Sequence, residues 1–397
     1  MKKRVWVIGY FGRANLGDEM ILASVLDNRP DWAAPCVLTS NERLTRETHG
    51  VSSVLCPPLC DMPHNGPTQR LRYWVRKGPR LLLDLLREKP CIFACGGSIT
   101  DHVAGLVVRI RESVANLKKL RCRVALLGAG IDPLTLPADR DAAAALIGHE
   151  LAYCSVRDAK SAEVLRELGV PAGRFHEGVD LAYAVQRPIP SRRDAEAATM
   201  SSAHIGLNLK PLFCTPQERG DNKATRFETY IQDCCRLVTR LQPNVGRLTL
   251  VSFSREDHAF LSRISRECGT AVLAFTPNPR HLLAKMASFD GFVGMRYHSV
   301  VFSVLANTPV VPIVYAPKVD ALAVELGFDS GSLAVGDGTE MTDRRLDVET
   351  VCQQAEAVWN ERQSHKERMT AIVELKRKRA LKDMEDCWEA VRCRAVA

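Results

Sequence analysis

The sequence lacks the features that mark several specialised classes of protein. It has 14 cysteines but no C-x-x-C motif, so the spacing typical of zinc ribbons and dithiol redox sites is missing. It has no G-x-G-x-x-G motif, which weakens a dinucleotide-site hypothesis. Lys and Arg number 54 and Asp and Glu number 46, which gives a net charge of only +8. This charge is too small to indicate nucleic-acid binding. We therefore expect neither a metal site nor a nucleic-acid partner.

Long apolar runs are scarce as well. The basic residues 1–4 precede an apolar run, 5–12, that lies at the short limit for a signal peptide. Residues 297–317 carry no formal charge, but they include Asn307, Pro309 and Pro312. This stretch is therefore predicted to form a helix, a turn and a buried strand rather than a membrane span. Without a secretory signal, we predict reduced cysteines and a cytoplasmic protein.

Short apolar runs alternate with helical stretches along most of the chain. Strands are predicted at residues 5–8, 36–39, 91–94, 123–127 and 153–156, and again at 204–209, 248–252, 272–275, 291–294 and 310–314. This rhythm predicts an α/β fold of two doubly wound Rossmann-like domains, 1–187 and 204–345, facing a cleft and joined by a polar linker, 188–203. Ligands of such sheets bind at the carboxyl ends of the strands.

Two further segments are helical and basic. Residues 346–397 are predicted to form helices that pack back on the body through an apolar stripe, although the basic run 376–379 leaves contact with anionic lipid or a partner open. The stripe consists of Met369, Ile372, Val373, Ala380, Met384, Cys387, Trp388 and Val391. Residues 70–89 combine Lys and Arg with Tyr73 and Trp74, which indicates either a pair of surface helices or a patch that meets a membrane or a lipid-linked phosphate.

Glycine-bearing turns follow three of the predicted strands. The first, residues 9–19, contains Asn15, Gly17 and Asp18; such a turn can present backbone N–H groups to a ligand, or the polar side chains can simply cap the next helix. The second contains Gly96, Gly97 and Ser98, and the third starts at Gly128. Three turns at one edge of a sheet predict a lined ligand site.

Charged residues follow three other strands. Arg157 can clamp an anion or pair with Asp158 or Glu163. Arg296 and His298 are two residues apart at a strand end, so their side chains could share a face beside the positive end of a helix. Lys318 lies beyond the last strand. These residues are candidates for binding an anionic substrate.

Five motifs together resemble the polysaccharide pyruvyltransferase family. In chain order they are GYFGRANLGDE, GGSITD, GAGIDP, SVRDAKSAEVLRELGV and GMRYHSVVFSVLANTPVVPIVYAPKV. Arg296, Tyr297 and His298 match the Arg-x-His signature of the family. The resemblance implies the two-domain fold of B-type glycosyltransferases. It also implies transfer of the enolpyruvyl carbon of phosphoenolpyruvate to sugar hydroxyls of a cell-surface polysaccharide or its lipid-linked precursor, with phosphate released and a ketal formed.

The residues can be assigned roles that suit this reaction. Arg296 would hold the carboxylate or phosphate, and Arg157 would be a second anion clamp. Histidine is the side-chain type best suited to exchanging a proton at neutral pH, so His298 would transfer a proton. A carboxyl at a helix N-terminus favours its charged form, so Asp18 suits a base or an acceptor-orienting role. Asn15, Gly17, Gly96, Gly97, Ser98 and Lys318 would complete the substrate site, and no cofactor is expected.

Two other functions remain open on the sequence alone. A nucleotide-sugar glycosyltransferase could share the same architecture, since fold does not determine function. A non-catalytic anion-binding module could keep the same site. Peripheral contact with the inner face of the membrane is a further expectation, because the acceptors of the family are often lipid-linked.

Overall fold

The computed structural model describes residues 2–55, 91–95, 98–100, 105–186, 199–212, 223–329 and 346–392. The chain divides into two compact units. Unit 1 comprises residues 1–186 and 376–397, and unit 2 comprises residues 187–375. The predicted linker falls mostly outside the described residues, as do the basic segment 70–89, Gly96 and Gly97.

Unit 1 is built on a parallel sheet. Its strands are β1 (Lys3–Ile8), β2 (Ala33–Thr39), β3 (Ser52–Leu55), β4 (Cys91–Cys95), β5 (Ser98–Ile99), β6 (Arg123–Ile131), β7 (Tyr153–Val156) and β8 (His176–Glu177). The strand order is β3-β2-β1-β4-β6-β7-β8, with β5 paired to β6. The chain therefore starts in the middle of the sheet, builds outward to one side and then crosses to the other. This is the doubly wound topology that the alternating pattern predicts.

Helices connect the strands of unit 1. They are α1 (Leu16–Asp27), α2 (Glu42–His49), α3 (Leu106–Lys119), α4 (Pro137–Ala145) and α5 (Ala159–Glu167), and a π-helical turn (Leu146–Glu150) extends α4. Side chains cap several of them, since Asn41 accepts from the N–H of Leu44 at the start of α2 and Gly50 ends that helix in the left-handed region. In α1 every residue from Leu16 to Leu26 is buried, so this helix lies inside the unit rather than on its surface.

Unit 2 repeats the same plan on a smaller sheet. Its strands are β9 (His204–Asn208), β10 (Arg247–Leu250), β11 (Ala271–Val272), β12 (Gly291–Gly294) and β13 (Val310–Pro312), in the order β11-β10-β9-β12-β13 and all parallel. Its helices are α6 (Lys223–Leu241), α7 (Arg255–Cys268), α8 (Pro279–Met286), α9 (Tyr297–Leu305) and α10 (Pro317–Glu325). The strand order reverses between β9 and β12, so the carboxyl ends of these two strands form the switch point of the sheet.

The C-terminal helices are α11 (Val348–Asn360) and α12 (Arg362–Arg392). The predicted apolar stripe on α12 is confirmed: its residues are buried apart from Ile372, which is half-buried. The boundary between the units falls inside α12, after Leu375. Beyond it, the Asp383 carboxylate accepts hydrogen bonds from the hydroxyls of Tyr153 (2.5 Å) and Ser155 (2.7 Å) on β7, which fastens the end of the helix to the sheet of unit 1.

The basic run 376–379 on α12 belongs to unit 1 and contacts other segments of that unit. The guanidinium of Arg377 donates to the carbonyl oxygen of Val185, and that of Arg379 donates to the carbonyl oxygen of Glu177. The ammonium group of Lys376 lies 5.3 Å from the centroid of the Tyr183 ring. Three of the four residues of the basic run, 376, 377 and 379, thus take part in packing within unit 1.

The structure differs from the sequence-based expectation around Gly128. This glycine was expected to open a turn after the strand, but β6 continues through it to Ile131. The pairing register with β7 shifts between Leu126 and Ala129, which marks a β-bulge. Gly128 has φ +60°, and a Cβ there would lie 2.7 Å from the Leu181 side chain. Gly128 thus serves the β-bulge in β6 rather than a turn.

The uncharged stretch 297–317 folds as predicted. It forms α9, then a turn at Asn307 with φ +55°, then the buried strand β13. Within the described ranges, no helix combines the length and the apolar character needed to cross a membrane.

Candidate functional site

The switch point of the unit 2 sheet is held together by Asn208. This fully buried residue ends β9, and its amide nitrogen donates to the carbonyl oxygen of Val251, just beyond β10, at 2.9 Å. Its amide oxygen accepts from the backbone N–H of Arg296, just beyond β12, at 3.0 Å. One side chain thereby fixes the carboxyl ends of three neighbouring strands, and it places Arg296 at the start of α9.

The guanidinium of Arg296 forms a buried ion pair with Asp257 on α7. Nε lies 2.8 and 2.7 Å from the two carboxylate oxygens, and Nη2 lies 2.6 Å from Oδ1. Nη2 also donates to the hydroxyl of Ser254 at 3.1 Å. The Asp257 side chain is fully buried, whereas that of Arg296 is 17% exposed. The arginine thus reaches the surface while its carboxylate partner does not.

Asp257 raises the pKa of Arg296. Burial alone would lower the pKa of the guanidinium, but the charge of Asp257 and its hydrogen bonds outweigh that effect, with smaller contributions from Tyr315 and Glu256. Arg296 therefore keeps its positive charge in a largely buried position, where an unpaired cation would be strongly disfavoured.

His298 is the second residue of α9. Arg296 is the N-cap with φ −66° and ψ 140°, and β12 has already ended at Gly294. The expected strand end at Arg296 and His298 is therefore corrected to a helix start, and strand alternation does not relate their side chains, because the chain has already left the strand. His298 is half-buried with its Nε2 atom inside, and its ring meets that of Tyr297 edge to face at 5.1 Å. The start of α9 nevertheless carries both an arginine and a histidine.

Two lysines lie at the same edge of the unit 2 sheet. Lys318 is the second residue of α10, which follows β13. Lys210 follows β9, and its ammonium group lies 4.5 Å from the centroid of the Tyr315 ring. Because β9, β12 and β13 are adjacent and parallel, the cations that follow them share one edge. Sequence reasoning identified Lys318 but missed Lys210, which no turn signal marks.

The first glycine turn of unit 1 places its polar residues at the start of α1. Asn15 is the N-cap, and its side-chain oxygen accepts from the N–H of Gly17 at 3.2 Å. Asp18 follows in the first turn and is 7% exposed. Asn15 thus performs the capping role that its position indicates, and Asp18 lies at the buried, positive end of the helix.

Glu19 lies in the first turn of α1, and its position in the sequence indicates only a first-turn acid. The structure shows contacts of Glu19 that the sequence did not predict. Its carboxylate accepts from the backbone N–H of Gly12 at 2.8 Å and lies 2.7 Å from Nε2 of His49, the last residue of α2. Gly12 has φ +80°. The carboxylate of Glu19 therefore ties the loop between β1 and α1 to a second helix, α2, which only the fold reveals.

Arg157 lies just beyond β7 and is 8% exposed. Its Nε is 3.1 Å from the Asp158 carboxylate, and Asp158 also caps α5 by accepting from the N–H of Ser161 at 2.7 Å. Of the two ion-pair partners suggested by the sequence, the structure shows Asp158. Ser98 pairs with Gly130 in the strands β5 and β6, which places its backbone beside the glycine-bearing end of β6.

Predicted site residues therefore gather at two sheet edges. Arg296, His298 and Lys318 lie at the carboxyl edge of the unit 2 sheet, whereas Asn15, Gly17, Asp18 and Arg157 follow strands β1 and β7 of unit 1. Within the described part of the chain, no group of three or more His, Cys, Asp or Glu side chains is arranged to hold a metal ion.

Solved structures with similar folds include proteins named for, or bound to, UDP or a UDP-sugar. UDP-GlcNAc 2-epimerase from Neisseria meningitidis bound to UDP-GlcNAc is 12% identical, with a TM-score of 0.57 over 98% of this chain and 99% of that one. HepE from Anabaena in complex with UDP and glucose is 13% identical, with a TM-score of 0.56 over 98% and 99%. A UDP-glucosyltransferase from Polygonum tinctorium is 13% identical, with a TM-score of 0.55 over 99% and 100%. At this identity the likeness concerns the fold, and it confirms the predicted B-type glycosyltransferase architecture.

Sequence comparison identifies the family. A search among curated protein sequences returned no significant match. The family described as polysaccharide pyruvyl transferase matches residues 50–317, roughly two thirds of the chain. This range contains Arg157, Arg296 and His298, and it begins after Asp18. The chain therefore belongs to the polysaccharide pyruvyl transferase family.

Proposed function

We propose that the protein transfers the enolpyruvyl group of phosphoenolpyruvate to sugar hydroxyls, forming a pyruvate ketal and releasing phosphate. The observation that carries this proposal is the position of Arg296 and His298 at the start of α9, at the switch point of the unit 2 sheet. Ligands of doubly wound sheets bind at such a point. The family membership supports the reaction class.

The unit 2 edge suits a small substrate with two anionic groups. Phosphoenolpyruvate carries a carboxylate and a phosphate. The N-termini of α9 and α10 each offer backbone N–H groups and a partial positive charge. Arg296 and Lys318 stand at these two N-termini. We assign the donor to this edge, with Arg296 holding one anionic group and Lys318 the other.

The reaction needs one proton delivered and two removed. Protonation of the methylene carbon turns it into a methyl group and makes the neighbouring carbon electrophilic. The first sugar hydroxyl bonds to that carbon and gives up its proton, the carbon–phosphate oxygen bond breaks, and a second hydroxyl closes the ketal. One proton ends on the methyl group and the other on phosphate. We assign proton delivery to His298 and proton removal to Asp18, with Arg157 as a second anion clamp.

The acceptor that fits this family is a sugar unit of a cell-surface polysaccharide or of its lipid-linked precursor. A cytoplasmic enzyme with peripheral contact to the inner face of the membrane follows from a lipid-linked acceptor. Neutralising Arg72, Arg76 and Lys77 together tests the membrane contact. Binding to anionic vesicles should weaken while turnover on a soluble acceptor persists, and equal vesicle binding by the variant and the parent would remove the membrane from the proposal.

Phosphate release tests the reaction directly. The purified protein, phosphoenolpyruvate and a panel of sugar acceptors should release phosphate only when a competent acceptor is present, and release should persist in EDTA. Mass spectrometry of the acceptor should show the added pyruvyl group. Binding of phosphoenolpyruvate without release on every acceptor tried would favour a non-catalytic anion-binding module.

A second candidate function is nucleotide-sugar transfer, which the UDP-bound complexes of proteins with the same fold favour. A thermal-shift screen separates the two, because a ligand that binds the native state raises the melting temperature. Stabilisation by phosphoenolpyruvate and not by UDP-sugars supports pyruvyl transfer. The reverse result would establish the glycosyltransferase alternative.

A further inference from the structure

The Arg296 guanidinium has most of its hydrogen-bonding capacity committed inside the protein. Nε and Nη2 are both engaged by Asp257, and Nη2 also donates to Ser254. Among the described residues, the remaining nitrogen, Nη1, has no hydrogen-bond partner, and it is not among the buried unpaired atoms. The two-pronged face of the arginine thus points at Asp257, and one nitrogen remains for a ligand.

Asp257 is itself held on several sides. Its Oδ2 accepts from the backbone N–H of Phe253 at 3.1 Å, and its own N–H donates to the hydroxyl of Ser254, the N-cap of α7, at 3.1 Å. Asn208 anchors the backbone of Arg296 at the same time. The Asp257 carboxylate is fully buried and is fixed by the start of its own helix. It therefore holds the Arg296 guanidinium in one orientation.

We propose that Asp257 is a positioning residue that presents Arg296 to the donor through Nη1 alone and cancels the charge of its guanidinium. This inference rests on the proposed function for the identity of the donor. Arg296 then contributes direction rather than net charge, because the pair Asp257–Arg296 is neutral as a whole. The strength of donor binding comes instead from the helix N-termini and the lysines of the same edge.

Removing the carboxylate should separate binding from turnover. In Asp257→Asn the positive charge of the guanidinium is no longer cancelled by its partner, and the guanidinium gains the freedom to grip an anion with two nitrogens. Affinity for inorganic phosphate should therefore rise by about fivefold, the effect of one uncompensated charge in contact in water. Turnover should fall by about 10- to 100-fold, because the gripped donor is displaced from its reactive position. A residue that only stabilises the fold would lower the melting temperature and leave both quantities unchanged.

The experiment measures phosphate binding by calorimetry, and kcat and KM for phosphoenolpyruvate, on the full-length protein. The matched control is Glu228→Gln. Glu228 lies on α6, and its carboxylate forms an exposed pair through two hydrogen bonds with Arg263, which lies on the same helix α7 as Asp257. The control should match the parent in every readout. Unchanged phosphate affinity together with unchanged kcat in Asp257→Asn would overturn the proposal.

A second variant guards against misfolding of Asp257→Asn. Ser254→Gly removes the hydroxyl that contacts Nη2, and glycine remains an acceptable N-cap. It should lower kcat by a smaller factor in the same direction, and an unchanged kcat here would count against the proposal. Phosphate binding does not depend on the reaction, so a rise in phosphate affinity with no activity in the parent would retain the positioning role and overturn the proposed function instead.

A double-mutant comparison closes the test. Arg296→Lys should strongly lower kcat/KM in the parent background, because an ammonium group cannot engage both oxygens of Asp257 in the same geometry. In the Asp257→Asn background the same change should cost at least tenfold less in kcat/KM. Equal costs in the two backgrounds would show that Asp257 does not act through Arg296.

Discussion

Glu19 and His49 form a hydrogen-bonded pair that is almost completely hidden from solvent. The Glu19 Oε2 and His49 Nε2 atoms lie 2.7 Å apart, and the two side chains are 1% and 3% exposed. The second carboxylate oxygen of Glu19 accepts the N–H of Gly12. One carboxylate thus joins the first turn of α1, the last turn of α2 and the loop that leads to Asp18.

Breaking this pair should destabilise the protein strongly. His49→Gln removes the ring that contacts Glu19 Oε2, and Glu19→Gln removes the carboxylate that holds both the Gly12 N–H and the His49 ring. Each change should lower the free energy of unfolding, measured by urea denaturation, by about 2 kcal/mol, because a buried polar group is left without its hydrogen-bond partner. Glu47→Gln breaks the exposed pair Arg43–Glu47 on the same helix α2 and should leave the midpoint unchanged. Equal effects of buried and exposed changes would contradict the structural role.

Gly12 and Gly50 offer a matched pair of glycine substitutions. Both have positive φ, +80° and +62°, but a Cβ on Gly12 would lie 2.2 Å from the Thr39 hydroxyl and 2.7 Å from the backbone nitrogen of Asn41, whereas one on Gly50 would meet nothing within 4 Å. Gly50→Ala should cost about 1 kcal/mol for the left-handed backbone. Gly12→Ala should cost about 3 kcal/mol, since the steric clash adds to that strain. Similar urea midpoints for the two variants would show that the loop relaxes freely.

His298 should govern turnover rather than folding. If it delivers the proton, His298→Gln should lower kcat by about 100- to 10,000-fold with little change in the melting temperature, and the variant should lose a limb of the pH–rate profile. His281→Gln alters an exposed histidine on α8 of the same unit and serves as the control. A lower melting temperature with near-normal turnover of the folded fraction would reduce His298 to a packing residue.

His365 should make the stability of the protein depend on pH. Burial lowers its pKa to about 4, the charge of Arg368 lowers it further, and a hydrogen bond with the backbone of Val310 opposes both. The unfolded chain therefore takes up a proton near pH 6.5 that the folded chain refuses until about pH 4. The stability contribution is complete above pH 6.5 and is lost as the pH falls towards 4, by up to about 3 kcal/mol.

The His365 prediction is tested by comparing slopes. Urea denaturation at several pH values should show a smaller loss between pH 7 and pH 4 for His365→Gln than for the parent, because glutamine does not titrate. The carboxylates of the protein titrate in the same pH range, and they contribute equally to the stability of both proteins. Parallel curves for the two proteins would show that His365 keeps an ordinary pKa in the fold.

The sequence by itself determined the features that depend on neighbours along the chain. Alternating apolar runs and helical stretches predicted the two parallel sheets, and three- and four-residue spacing predicted the buried face of α12. The capping residue Asn15 was readable because a helix start needs an acceptor within three residues, whereas Asp158 was predicted only as an ion-pair partner of Arg157. The strands β3 and β8 were missed because they are short and carry little apolar pattern. The five motifs, in their order along the chain, sufficed to indicate the family.

Only the tertiary structure decided which residues meet across the chain. Asp257 and Arg296 are 39 positions apart, and Glu19 and His49 are 30 apart, so no local spacing connects them. Gly128 on β6 lies so close to the Leu181 side chain that a Cβ would clash with it, and no short window of sequence contains both residues. The physical reason is that hydrogen bonds along one segment follow from its own residues. The burial that makes a charge require a partner exists only once separate segments have packed together.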